Sequence, residues 1–185
     1  MTTTIVEIDD YIIRPFERPD APEQSKILNN PRILQWMTNI IPNPYTLADS
    51  EFWINFCLTS DPPTPNWAIA CKSTGLIIGG IGYKTSTDIH RRTVELGYWL
   101  GEPYWNKGII SLILPPFLQW TWEAYPHVNR IEASVYAGNE PSGRALKRVG
   151  FELEGRLRNK VWKNEKVMDL LVFGLLREEE ERGGK

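Results

Sequence analysis

Residues 101–108, Gly-Glu-Pro-Tyr-Trp-Asn-Lys-Gly, set one lysine and two glycines between an alternating apolar stretch and a helical one. A loop that leaves a strand and enters a helix aims free backbone N–H groups at one point, where the helix dipole adds partial positive charge. A phosphate or pyrophosphate suits such a place. The spacing approaches that of a nucleotide-binding P-loop, which needs Gly, four residues, then Gly-Lys-Ser/Thr. Here Asn106 takes the place of the second glycine, and Gly108 stands where the magnesium-binding hydroxyl belongs. A nucleotide–magnesium site therefore lacks its metal ligand. The run Gly79-Gly80-Ile81-Gly82 has neither the spacing nor the following helix of a dinucleotide fold. A glycine turn that binds nothing is the plain alternative for the loop.

Other residues could do acid–base chemistry. In 93–100, "TVELGYWL", Val94, Leu96, Tyr98 and Leu100 alternate with Glu95, Gly97 and Trp99. Glu95 is thus set opposite its apolar neighbours, as a base or as the partner of a cation such as Arg14 or Arg92. Asn139 and Ser142 open a short helix, where both residue types also serve as caps. Arg144, Lys147 and Arg148 share one helix face, which meets either an anion or solvent. Arg156 and Arg158, with His90, Arg91 and Arg92, are surface charge or a landing place for an acidic acceptor.

The whole chain sets bounds on these options. Its 185 residues, 42% hydrophobic and 24% charged, fit one domain with a substantial core, spanning 1–185. A net charge of −2 argues against a general nucleic-acid binder. Cys57 and Cys71 sit in apolar stretches and read as buried thiols, not a disulfide. His90 and His127 have no ligand-like neighbours, so no metal site is expected. No basic-then-apolar leader and no span long enough for a membrane is visible, so the expected location is cytoplasmic, with the nucleus also open.

The elements that must position these residues follow from period and punctuation. Strands are expected at 11–16, at "NWAIACK" and "LIIGGIGYK" around a turn at 73–75, at 93–100 and at 128–136. A closing hairpin turns at Lys163-Asn164-Glu165. Helices are expected at 20–28 and 31–37, then from a Thr46–Asp49 capping pattern with Leu47, Phe52, Trp53 and Phe56 as its apolar face. A further helix runs from the loop to about Tyr125, and a short one from Pro141 to Gly150. Pro115-Pro116 should kink the helix after the loop. The core is 11–176 and the polar tail 177–185 should fray. Strand, loop, helix and strand over 93–136 predict a right-handed crossover with parallel strands.

Five pieces in this order resemble the GCN5-related N-acetyltransferase (GNAT) superfamily in its ribosomal-protein, RimJ/RimL-like branch. They are "IIRPFERPDA" (12–21), "LIIGGIGY" (76–83), "VELGYWLGEPYWNKGI" (94–109), "AGNEPSGRALKRVGFELEGRLR" (137–158) and "VWKNEKVMDLLVFGLL" (161–176). The resemblance implies an α/β fold: a mixed, mostly antiparallel sheet of about seven strands flanked by helices. Its fourth and fifth strands, 93–100 and 129–136, would part in a V-shaped gap. It implies acetyl-CoA as acyl donor, without a metal, and transfer to an amine by direct attack.

The family's Gln/Arg-x-x-Gly-x-Gly/Ala pyrophosphate pattern falls on Trp105, Asn106, Lys107, Gly108, Ile109 and Ile110, of which only Gly108 is kept. Trp99 and Leu100 would meet the pantetheine arm. Glu95 would act as base, directly or through water. Asn139 would contact pantetheine, and Ser142 would donate a proton to the leaving thiolate, with Tyr136 as a competing acid. Arg144, Lys147 and Arg148 would face the ribose 3′-phosphate. Trp36, Met37 and Tyr45 would wall the acceptor site with the final hairpin. The acceptor would be a protein N-terminus, a polyamine or a small amine. No nucleic-acid or membrane partner is implied, and a homodimer is left open. The departures at Asn106, Ile110 and Pro115-Pro116 leave a second reading, a degenerate acyl-CoA-binding module without turnover.

Overall fold

The computed structural model describes residues 4–177. Eight strands form one sheet: β1 (Val6–Ile8), β2 (Tyr11–Arg14), β3 (Asn66–Cys71), β4 (Ile77–Thr85), β5 (Thr93–Leu100), β6 (Arg130–Tyr136), β7 (Glu152–Lys163) and β8 (Lys166–Leu176). Their order is β1-β2-β3-β4-β5-β6-β8-β7. Five helices flank it: α1 (Ala21–Leu28), α2 (Pro31–Leu34), α3 (Leu47–Thr59), α4 (Ile109–Ala124) and α5 (Glu140–Arg148).

The architecture is the expected mixed α/β sheet with one strand more. The extra strand β1 folds back on β2 through a turn in which Asp9 has φ 50°. Only β5 and β6 run parallel, as the helical crossover requires. The closing hairpin turns at Asn164 (φ 50°) and Glu165 (φ 59°), two left-handed residues whose twist matches the flanking strands. The expected tail lies outside the described residues from 178 onward.

Alternation along the strands divides the molecule into two faces. Ile13, Ile69, Ile81, Val94, Leu96 and Ile131 join α4's Ile113, Leu114 and Phe117 in the main core. On the opposite face Ala68 and Ala70 pack with Phe16, Ala21 and Ile54, which belong to the region of α1 and α3. One expectation about helices fails here. Buried on α3 are Ser50 and Ile54, while Leu47, Phe52 and Phe56 are exposed and Trp53 is half-buried. The buried face instead packs Ile54 against Phe16, Ala21 and Ala68, and one turn earlier the Ser50 hydroxyl donates to the Gln24 side-chain oxygen of α1. Pro115 and Pro116 lie inside an unbroken α4. Pro115 is exposed and Pro116 half-exposed, so carbonyls left without a donor face toward solvent. The thiols also differ from expectation: Cys57 and Cys71 are free and each is half-buried.

The "RPFERPDA" segment owes its form to one ion pair. Arg14, at the end of β2, donates from Nη1 to Asp20 Oδ2 and from Nη2 to Asp20 Oδ1, each at 2.8 Å, with both side chains buried. Asp20 also accepts the Glu17 backbone N–H at 2.8 Å. This bidentate pair pins the start of α1 against the sheet. Asp20→Ala leaves the buried Arg14 charge with only the longer Glu17 contact at 4.0 Å and the Pro15 carbonyl at 3.0 Å. It should lower the free energy of unfolding by about 3–5 kcal/mol, while the apolar pair Arg14→Met with Asp20→Leu should recover most of it. Urea denaturation of the three proteins checks this.

Candidate active site

Parallel pairing between β5 and β6 covers Thr93–Arg130, Val94–Ile131 and Glu95–Glu132 and goes no further. Beyond it the strands part. The Gly101 N–H donates to the Ile78 carbonyl at 2.8 Å. In the antiparallel β4–β5 register this turns the backbone groups of Gly97 and Trp99 toward β4. Those of Leu96, Tyr98 and Leu100 therefore turn to the gap. On β6 the Ala137 N–H donates to the Asp169 carbonyl of β8 at 3.0 Å, so the backbone groups of Ser134 and the N–H of Tyr136 face the gap from the other side, while the Tyr136 carbonyl accepts the Asn139 N–H at 3.0 Å. Trp99 thus presents its ring, not its backbone. The Leu100 carbonyl is already taken by the Trp105 indole N–H at 2.8 Å.

A cleft of about 1770 Å³ runs through this gap. Of the residues singled out from sequence, it is bordered by Trp36, Met37, Tyr45, Glu95, Trp99, Leu100, Trp105, Asn106, Gly108, Ile109 and Ile110, and by Tyr136, Asn139, Ser142, Arg144 and Arg148. Lys107 and Lys147 do not border it. Both are exposed, and the Lys107 ammonium lies 5.7 Å from the centroid of the Tyr104 ring. The loop before α4 carries two left-handed residues, Asn106 (φ 59°) and Gly108 (φ 75°), and Gly108 is the helix N-cap. Asparagine tolerates this conformation better than most residues with a side chain. The backbone N–H groups of α4's first turn open onto the same wall. Glu102 ties the loop to the far side: it accepts from Asn30 Nδ2 at 2.7 Å and pairs with Arg32, whose guanidinium lies 5.6 Å from the Trp105 ring centroid.

The Glu95 carboxylate, on the α1/α3 face, makes no hydrogen bond or ion pair among the described residues. The two cations expected to hold it are engaged elsewhere: Arg14 with Asp20, and Arg92 with the His127 carbonyl at 3.0 Å. Tyr136 shares that face by alternation on β6. Burial raises its phenol pKa, and the nearby Glu95 charge raises it further. Asn139 occupies the N-cap of α5, yet its side chain makes no capping bond. Ser142 is held from the opposite face, where the Tyr98 hydroxyl lies 2.9 Å from its Oγ and also donates to its carbonyl at 3.3 Å. Burial pushes the Tyr98 pKa up to about 12, against a smaller pull from Ser142.

Sequence reasoning missed Tyr98, which alternation assigns to the core side of β5. It also missed Phe52 and Phe56, which border the cleft instead of the core. Nothing local marks the first, because its partner lies 44 residues away. The exposed position of Phe52 and Phe56 goes with the burial of Ser50 and Ile54 on the other face of α3.

A match to known proteins gives this geometry its class. Residues 10–152 fit the family model described as an acetyltransferase (GNAT) domain. The chain is 27% identical to the Bacillus subtilis protein "Uncharacterized N-acetyltransferase YoaA" over 176 residues, 95% of this chain and 98% of that one. Its fold is similar to the ribosomal-protein-S5-alanine acetyltransferase of Vibrio fischeri, with a TM-score of 0.82 at 20% identity, covering 96% and 98% of the two chains. It is also similar to the microcin C7 self-immunity acetyltransferase MccE, solved with acetyl-CoA and AMP, with a TM-score of 0.79 at 20% identity over 92% and 94%. The chain belongs to the GNAT acetyltransferases, a class of acyl-CoA-dependent N-acyltransferases, and stands beside the ribosomal-protein acetyltransferases of the RimJ/RimL-like branch.

The buried phenols set a pH response. Tyr98 and Tyr45 each have a pKa raised to about 12 by burial, against an unfolded value near 10. The folded form therefore keeps protons that the unfolded chain loses. That stability is fully present below pH 10 and is lost as pH rises toward 12. Alkaline unfolding followed by circular dichroism should show the decline in this window, and Tyr98→Phe should make it shallower.

Proposed function

We propose that the protein moves an acetyl group from acetyl-CoA to a primary amine by direct attack of the amine on the thioester. One observation carries this reading: β5 and β6 part directly after Glu95–Glu132, leaving backbone donors and acceptors facing a cleft that Glu95 and Ser142 both border. Buried polar backbone must find partners, and the amide-rich pantetheine arm fits that need. The similarity in fold to MccE, a protein solved in complex with acetyl-CoA, is consistent with it.

In this reading the first turn of α4, with Asn106, Gly108, Ile109 and Ile110, receives the pyrophosphate. Trp105 braces the loop, Lys107 adds charge from its rim, and Arg144 with Lys147 and Arg148 meets the 3′-phosphate. Leu100 and the Trp99 ring border the pantetheine arm with Asn139. Glu95 takes the proton from the amine, directly or through water. A backbone N–H at the parting of the strands polarises the thioester carbonyl. Ser142, held by Tyr98, returns a proton to the thiolate, with Tyr136 as the acid on the opposite face. The acceptor enters from the α1/α3 side, walled by Trp36, Met37 and Tyr45. No metal ligand enters any step. A binding module without turnover drew support from Asn106, but the left-handed turn that a glycine would take is kept there.

Glu95→Gln should lower turnover on the order of 10²–10⁴-fold while CoA binding stays within a few-fold. Ser142→Ala should slow thiol release with CoA affinity similarly kept. A thiol-release assay with mixed amines, paired with calorimetry, measures both, and full turnover in Glu95→Gln would reduce that residue to a structural one. Asn106→Ala should weaken CoA binding roughly fivefold, the equivalent of about 1 kcal/mol for a left-handed alanine. Asn106→Gly should hold or tighten it. Weaker binding in the glycine variant would mean that the Asn106 side chain itself touches the cofactor.

A further inference from the structure

On the face of the sheet that carries Glu95, three glycines stand close together, and they are not equivalent. A Cβ on Gly80 would lie 2.7 Å from the Trp99 indole nitrogen, and one on Gly82 would lie 2.3 Å from the Asn66 side-chain oxygen. Those two glycines are roofed by neighbouring side chains. Gly97, paired across the strands with Gly82, is exposed, and a Cβ on it would meet nothing within 4 Å. Its φ lies outside the left-handed region, so conformation does not require a glycine there. What the missing side chain leaves is open floor, between Glu95 on one side and the Trp99 ring on the other.

α3 borders the same cleft, and its Trp53 packs with Trp99 on one apolar cluster. Phe52 is 73% exposed and Phe56 45%, although both border the cleft. Trp53, tilted 33° to Phe56 with ring centroids 5.8 Å apart, completes the wall. Large aromatic side chains turned into a cleft, and not into the core, mark a surface that an apolar ligand covers. Aromatic walls over a flat backbone floor favour a planar group, which can stack and meet ring edges. Carboxylates stand at the cleft too: Glu95 on the floor and Asp49 one turn before Trp53. Both attract a cationic amine.

We propose that Gly97, Phe52, Trp53 and Phe56 form the acceptor slot, and that it selects a primary amine borne on a planar apolar group. The proposal rests on the reading that the acceptor enters from the Glu95 face. The amine end lies toward Glu95, and the ring lies over Gly97 against α3. A free arylalkylamine and the N-terminal residue of a phenylalanine-initiated peptide share this chemistry.

Two measurements test it on the intact chain with CoA present. Calorimetric binding of phenethylamine, butylamine, putrescine and a short peptide beginning with Phe reads the slot without turnover. Phenethylamine or the peptide should bind at least about tenfold more tightly than butylamine and putrescine. The better of the two identifies the source of the ring. Gly97→Leu, which fills the floor, should abolish that preference while the melting temperature and CoA affinity are kept. Gly97→Ala should reduce it partway. Equal binding of ring-bearing and ring-free amines, or an unchanged preference in Gly97→Leu, would overturn the slot. Thiol release with the same amines and acetyl-CoA reads transfer separately. Selective binding with no thiol release from any amine would leave the slot standing and remove the transferase reading. Release that favours putrescine would keep the transferase and overturn the slot.

Discussion

The parting of two parallel strands is the constraint on which this molecule's site depends. A ladder that stops after three residue pairs leaves the Leu96 carbonyl, the peptide groups of Tyr98 and Ser134, and the Tyr136 N–H without strand partners in the middle of a sheet. Elsewhere in a sheet such groups are satisfied by the next strand. Here they line a cleft, framed by three sets of contacts. The Tyr98–Ser142 contact joins β5 to α5 across the gap. The Trp105–Leu100 bond closes the loop at the wide end. Glu102, Asn30 and Arg32 join that loop to the helices of the other face.

In the proposed reaction the same opening separates two chemistries. The base, Glu95, lies on the face covered by α1 and α3, beside Tyr136, whose raised pKa keeps its proton. Ser142 comes from α5 on the face covered by α4. A thioester threaded between the strands would be reached from both sides, with the amine on one and the leaving thiolate's proton source on the other. Two layers of helices on a twisted sheet create such a passage only where strands separate. A closed sheet would bring the two sets of residues no nearer than its own thickness.

Much of the fold was legible from local chemistry. Two-residue alternation placed β5 and set Glu95 opposite Val94 and Leu96. The Thr46–Asp49 pattern predicted the start of α3, and both capping bonds are present. Asn164-Glu165 and the Asn106–Gly108 turn carry the left-handed residues their positions call for. The rotation of α3 was not legible, since Leu47, Phe52, Trp53 and Phe56 form as plausible an inward face as any. It follows contacts distant in sequence: Ile54 packed on Ala68 and Ala70 of the sheet, and Ser50 bonded to Gln24, 26 residues away. The strand β1 was missed because three residues carry too little period to read.

By itself the sequence determined which residues could bear charge, turn left-handed or span a strand, because these depend on each residue's own stereochemistry and on neighbours within one turn. It also carried the family motifs, in order, from 12 to 176. Only the tertiary structure decided which of those residues meet. Register across β4, β5 and β6 chose the peptide groups that face the gap. The packing of α3 on α1 turned Phe52 and Phe56 toward the cleft. The bare floor at Gly97 exists because no neighbouring side chain roofs it, whereas Trp99 and Asn66 roof the two glycines beside it. Such contacts join positions far apart along the chain, and a pattern read over a few neighbouring residues carries no information about them.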